Sequence, residues 1–248
     1  MVNYANALKI EFIKLFRRSN VLFLFLIVYL SLTPLSLSHK MGNQGNEIRI
    51  FFTNFSIYVS IISLLIMSIF FVNSVGNDFN EGSYRKLIAM GLTKKAYLMG
   101  KIVLVIVFSL FIFFFDIILY YFIGTLEYNY TLIDLIKSIP LIAIFNQIIA
   151  LICAGLFGLF FITVFRNRII GLVFFPFWLS LEFSFKILEK LKEVEFVKYL
   201  PGNAFFNLFI KTSFVIENFI IVLSTGLLFI IASWAGLKYR EEPGSLMQ

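Results

Sequence analysis

Asp116 is the residue whose type and setting most invite chemistry. It stands in "FFFDIILYYF", inside one of the longest apolar runs of the chain. A carboxyl at bilayer depth costs a few kcal/mol to insert and tends to mark a pathway or a partner. No Lys or Arg falls inside another apolar run to pair with it. Its uses stay open: the carboxyl keeps its proton and is tolerated, or it bonds a neighbouring helix, or it takes a proton or cation. Asn146 and Gln147 make up a candidate intramembrane polar site with Asp116, and Asn73 and Ser74 are further candidate hydrogen-bond partners.

Other chemistry is hard to find. Cys153 is the single cysteine and lies in an apolar run, so neither a disulfide framework nor a cysteine metal site is expected. His39, between Ser38 and Lys40, reads as a solvated interfacial residue. No Gly-x-Ser-x-Gly or His-Glu-x-x-His occurs. Gly100-Lys101 is no phosphate cradle: Lys95 stands where the earlier glycine belongs, and Ile102 follows. The expectation is a chain that is not an enzyme, holds no metal and binds no cofactor itself.

The elements that position these residues are membrane helices. Hydrophobic residues make up 60% of the 248, charged residues 14%, and Phe alone accounts for 33. A soluble domain carries about a quarter charged residues. The apolar residues come in runs that predict six spans, at roughly Val21–Leu37, Phe51–Val75, Ile102–Ile123, Ile139–Phe165, Ile169–Phe185 and Phe219–Leu237. Arg166-Asn167-Arg168 alone separates the fourth from the fifth, which predicts a tight helical hairpin, and Pro176 is expected to kink the fifth. Residues 1–248 read as one transmembrane domain: spans one to three over 21–123, spans four to six over 139–237. In span four, Cys153, Ala154, Gly155 and Gly158 form a small-residue face suited to close helix packing.

Two segments are neither span nor simple loop. Over residues 1–18, Tyr4, Leu8, Phe12 and Leu15 recur at helical spacing with Lys9, Glu11 and Lys14 on other faces, which predicts an interfacial amphipathic helix. Between spans five and six, Ile187, Leu188, Leu191, Val194 and Val197 predict an outer helix that Pro201-Gly202 stops. The apolar stretch Ala204–Ile210 beyond it is too short to cross, and either dips into the membrane or lies flat on it.

The side holding Lys9, Arg17, Arg85, Lys94, Arg166 and Lys238 has 13 basic residues against five acids, while the other side balances eight against eight. By the excess of basic residues the first side is cytoplasmic, with both termini on it. The net charge of +7 thus reflects topology and anionic lipid rather than nucleic acid.

"NEGSYRKLIAMGLTKKAYLMGK", residues 80–101, falls on that side between spans two and three. Ser83 is placed to cap a helix from Tyr84, Gly91 to end it after two turns, and Thr93 to cap the next helix. So short a helix is unstable alone in water and needs a partner, lipid or protein. It offers Tyr84, Leu87 and Ile88 on one side, with Arg85 and Lys86 elsewhere. A plain turn-forming basic loop is the other reading.

The pattern Glu81-Gly82-Ser83-Tyr84-Arg85-Lys86-Leu87-Ile88, then Gly91-Leu92-Thr93-Lys94-Lys95, then Gly100-Lys101, resembles the permease subunits of type 2 ABC exporters. Gly91-Leu92 replaces the family's usual Pro before the Ser/Thr-basic pair, and "YLPGNAFFNLF" at 199–209 is similar to its outer segment before the last span. The resemblance implies that residues 81–91 form a coupling helix, binding a separate ATP-binding subunit through Glu81, Gly82, Ser83, Tyr84, Arg85, Lys86, Leu87, Ile88 and Gly91. It implies a second permease copy or paralogue, ATP and Mg in the partner subunit, and a place in the cytoplasmic (inner) membrane. An ion-coupled transporter using Asp116 is the competing reading, though it calls for a repeat that the two halves do not display.

Overall fold

The computed structural model describes residues 47–126, 130–173, 177–178, 181–182, 199–213 and 215–239. All regular structure among them is helical: α1 (Glu47–Asn80), α2 (Ser83–Ala89), α3 (Lys94–Leu126), α4 (Leu132–Ser138), α5 (Leu141–Phe165), α6 (Pro201–Ile210) and α7 (Ile216–Tyr239). Residues 168–173, 177–178 and 181–182, on the expected fifth span, are helical as well. The expected first span, the interfacial helix over 1–18 and most of the outer helix before Pro201 lie outside the described residues.

Four helices among the described residues are long and apolar enough to cross a membrane: Phe51–Asn80, Lys94–Leu126, Leu141–Phe165 and Ile216–Lys238. This is the pattern of a multi-pass membrane protein. α1 and α3 overrun the expected spans towards the basic end, reaching Asn80 and starting at Lys94. Local signals set those ends. The Thr93 side chain accepts a hydrogen bond from Ala96 N (3.1 Å), so α3 begins eight residues before the apolar run does. α1 runs on until the left-handed Gly82 turns the chain. At 34 and 33 residues the two helices are each about 50 Å long, well beyond a hydrocarbon core of about 30 Å.

α1 and α3 form an antiparallel hairpin in steady register. Phe70 stacks on Phe108 at 4.0 Å, Ser63 meets Asp116 one way along the pair, and Asp78 meets Lys101 the other way. α5 is the central helix, with Ala150, Leu151, Leu159 and Ile162 fully buried, and it packs against α1, α3, α6 and α7. Its small residues allow the approach. A Cβ on Gly158 would run into the Ser68 carbonyl oxygen, and Ser68 Oγ donates to Ala154 O at 2.8 Å. α3 and α7 keep apolar outer faces, including Phe111, Phe114, Ile118, Leu227, Leu228 and Ile231.

After α5 the chain turns at Arg166 and Asn167. Arg166 takes a left-handed conformation (φ 51°), and Asn167 Oδ1 accepts from Ile169 N and Ile170 N, capping the helical residues that follow.

α4 was not expected from apolar periodicity. Thr131 caps it through Asp134 N (3.3 Å), and its one buried side chain, Leu135, fills the space beside Gly124 and Phe51. Pro140 has no N–H to donate, and α5 starts after it at Leu141 rather than at Ile139. Around Leu135 a second apolar cluster joins Phe51, Phe52, Tyr120 and Ala143 at the end of the bundle away from α2.

Candidate functional site

Two places carry polar architecture that a passive bundle would not need. The first is the basic end. α2 spans Ser83–Ala89 and ends as the sequence suggests: Gly91, at φ 93°, lets Gly91 N reach Ile88 O (2.9 Å) and Leu92 N reach Leu87 O (3.1 Å). Its start differs from expectation. The N-cap is Gly82 in the left-handed region, with no side-chain cap, and Ser83 is already the first helical residue. Only a residue without a Cβ takes that conformation at little cost, and glycine's backbone freedom sets this helix start without a side-chain cap.

α2 is seated by two residues. Tyr84 is 2% exposed and Leu87 6%, both within the main core. The Tyr84 ring meets Phe79 of α1 at 5.1 Å and Tyr97 of α3 at 4.9 Å, both edge to face. Two residues assigned to a partner-binding surface therefore face the chain's own core. What α2 and its turns present outward is Glu81, Arg85, Lys86, Ala89, Met90 and Gly91, while Gly82, Ser83 and Ile88 are half-buried.

Beneath this helix lies a buried ion pair. Lys101 Nζ is 2.6 Å from Asp78 Oδ2, and Tyr97 O–H donates to the same oxygen at 3.0 Å. The Lys101 ammonium sits 5.3 Å from the Tyr97 ring centre. The remaining helix ends are tied in alongside. Arg168 Nη1 donates to Asn77 Oδ1 (2.9 Å), Arg166 Nη2 donates to Gly236 O (3.2 Å), and the Arg166 guanidinium lies over Phe79. Basic residues that the sequence offers as loop charges thus join α1, α3, α5 and α7 at one end. The Asp78–Lys101 pairing was missed. Its signal was the acid at the end of one span and the lysine at the start of the next, at matching distances from the turn.

The second place is at Asp116. Ser63 Oγ of α1 lies 3.1 and 2.9 Å from the two carboxyl oxygens and donates to the carboxyl. Asp116 and Gln147 line one small cavity of about 20 Å3, together with Ser56, Tyr120 and a wall of phenylalanines. Ser56 Oγ is buried there without a hydrogen-bond partner. Tyr120 shares a 2.6 Å hydrogen bond with Ser138 at the end of α4.

Asn146 is not in this cavity. Its amide donates to Lys211 O (3.0 Å) and Ser213 O (3.3 Å), the carbonyls that follow α6. Asn73 and Ser74 stand well along α1 from Asp116, and Ser63 takes the role expected of them. The sequence reading overlooked Ser63, although Ser56, Ser60 and Ser63 recur at helical spacing on one buried face of α1.

α6 is anchored at both ends. Glu182 accepts from Asn203 N (2.8 Å) at its N-terminus and from Trp178 Nε1, while Asn203 Nδ2 donates to Glu182 O (3.3 Å). The Glu182 carboxylate stands in for a missing side-chain cap, since Leu200 at the N-cap has none to offer. Among the described residues no group of His, Cys, Asp and Glu is arranged to hold a metal. No protein-family model matches the chain, and no curated protein matches it.

Proposed function

We propose that the chain is the transmembrane subunit of an ATP-driven ABC exporter, contributing half of a dimeric translocation pathway and moved by a separate ATP-binding subunit. The observation that carries this reading is the seating of α2. A seven-residue helix has little stability of its own. Here Tyr84 and Leu87 fix it to α1 and α3, and Arg85, Lys86 and Met90 are left outward. A short rigid helix bolted to two long ones is a lever. Force on its outer face passes through Phe79, Tyr84 and Tyr97 and through the Asp78–Lys101 pair into the α1–α3 hairpin. A turn that merely reversed the chain would need none of these contacts.

In this reading the basic end is cytoplasmic and α6 enters the bundle from the opposite side without crossing. At ten residues it is about 15 Å long, and it buries Phe205, Leu208 and Phe209 against the bundle. The apolar outer faces of α3 and α7 suit lipid or a second permease copy. ATP and Mg belong to the partner subunit. Co-purification with its ATPase is the test: Arg85→Glu with Lys86→Glu releases the ATPase from a folded chain. An intact complex after that double reversal counts against the assignment.

Asp116, lining an intramembrane cavity, favours a second reading, an ion-coupled transporter. Transport that survives ATP depletion, collapses with the proton gradient and is abolished in Asp116→Asn selects it over the first.

A further inference from the structure

We propose that the small cavity between α1, α3 and α5 is a binding site for a single water molecule, which joins the three helices at membrane depth. Its wall brings together a polar side chain from each of them: Ser56 of α1, Asp116 of α3 and Gln147 of α5. All three are buried. Most of the remaining wall is aliphatic or aromatic. The cavity measures about 20 Å3, and about 10–15 Å3 seats one water, so the space suits one water and nothing larger.

The side chains supply the partners a water needs. Ser56 Oγ is buried with no hydrogen-bond partner in the protein, a costly state for a hydroxyl. Asp116 accepts from Ser63 Oγ at 3.1 and 2.9 Å, and a carboxyl has room for about four donors. Gln147 carries both a donor and an acceptor in its amide. A water can therefore accept from Ser56, donate to Asp116 and bond the Gln147 amide, which meets the two to four partners that hold a buried water. A metal cation would demand a shell of oxygens that a wall of phenylalanines does not supply. Lipid offers no hydrogen bonds at this depth, so polar groups here must be satisfied from inside the bundle. The site also lies on a seam. Phe52 and Tyr120 belong to the cluster at the end away from α2, while Phe113 and Phe209 belong to the main core. A bridging water ties the two clusters together where they meet.

The site says nothing of an energy source, and its test needs neither ATP nor a partner. Solid-state NMR of the full chain in lipid bilayers reads it, by magnetisation transfer from water protons to the protein. Isotope labelling of glutamine leaves three side-chain amides, of Gln44, Gln147 and Gln248, and Gln147→Leu identifies the second. A water cross-peak to the Gln147 amide is expected, and Ser56→Val, which fills the cavity, removes it. Absence of the cross-peak marks a dry void, and its persistence in Ser56→Val means that water reaches Gln147 from elsewhere. Either result overturns the proposal. A second measurement serves if Ser56→Val does not fold. Ser56 makes no hydrogen bond to Gln147, so coupling between them passes through the water. Ser56→Ala should then lower the melting temperature more in the wild type than in a Gln147→Leu background, a comparison in which alanine's own helix propensity cancels. Equal shifts in the two backgrounds overturn the proposal as well.

Discussion

Lys101 Nζ lies 2.6 Å from Asp78 Oδ2, with the two side chains 1% and 4% exposed. The pair joins the last turns of α1 to the first turns of α3, underneath the short helix that connects them. Two charges taken out of water are costly separately and tolerable together. Their position makes α2 and the ends of its neighbouring helices one body rather than three.

Removing one member strands the other. Asp78→Asn or Lys101→Met should each destabilise by about 3–5 kcal/mol, whereas the double replacement should cost clearly less than the sum. Thermal unfolding of the detergent-solubilised chain reads the cycle. Additive losses would mean that the two residues do not act as a pair.

The two sides of α2 should separate by phenotype. Tyr84→Ala removes a ring packed between Phe79 and Tyr97 and should lower stability by about 3–5 kcal/mol, as for other buried aromatic truncations. Arg85→Glu with Lys86→Glu touches exposed residues and should leave the melting temperature nearly unchanged while abolishing ATPase binding. If the charge reversal instead unfolds the chain, the outward face is structural.

Glycines of the apolar helices should behave unequally. Gly158→Ala drives a Cβ into the Ser68 backbone of α1 and should be destabilising, since backbone gives way at a cost. Gly100→Ala meets nothing within 4 Å, and should be neutral or stabilising by up to about 1 kcal/mol. Parallel melts of the two variants check the contrast, and equal effects would remove the close α1–α5 contact from the account.

Much of this was legible from residue order and some was not, for physical reasons. Apolar runs gave the helices of four spans, and Gly91 and Thr93 marked the end of α2 and the start of α3 because caps act locally. The far ends of α1 and α3 were hidden, since hydropathy reports lipid and not helix. Within those polar ends, Asp78 pairs with Tyr97 and Lys101, and Asn77 with Arg168. Ser63 and Glu182 were invisible for another reason. Each matters through a partner distant in the chain, Asp116 or Asn203, and residue order does not say which helix a polar side chain faces. α4 was overlooked because a single buried side chain, Leu135, leaves no periodicity to read.

Asn146 of α5 ties down the chain just after α6. Its amide reaches Lys211 O and Ser213 O, so it satisfies carbonyls that the end of α6 leaves without helical partners. Asn146→Ala removes both N–H donors without adding bulk, and should cost at least about 1 kcal/mol, felt first at that end. Hydrogen–deuterium exchange should then quicken over residues 201–210 and stay unchanged along α1 and α3. Exchange over residues 201–210 that stays as slow as in the wild type would remove the tether role of Asn146.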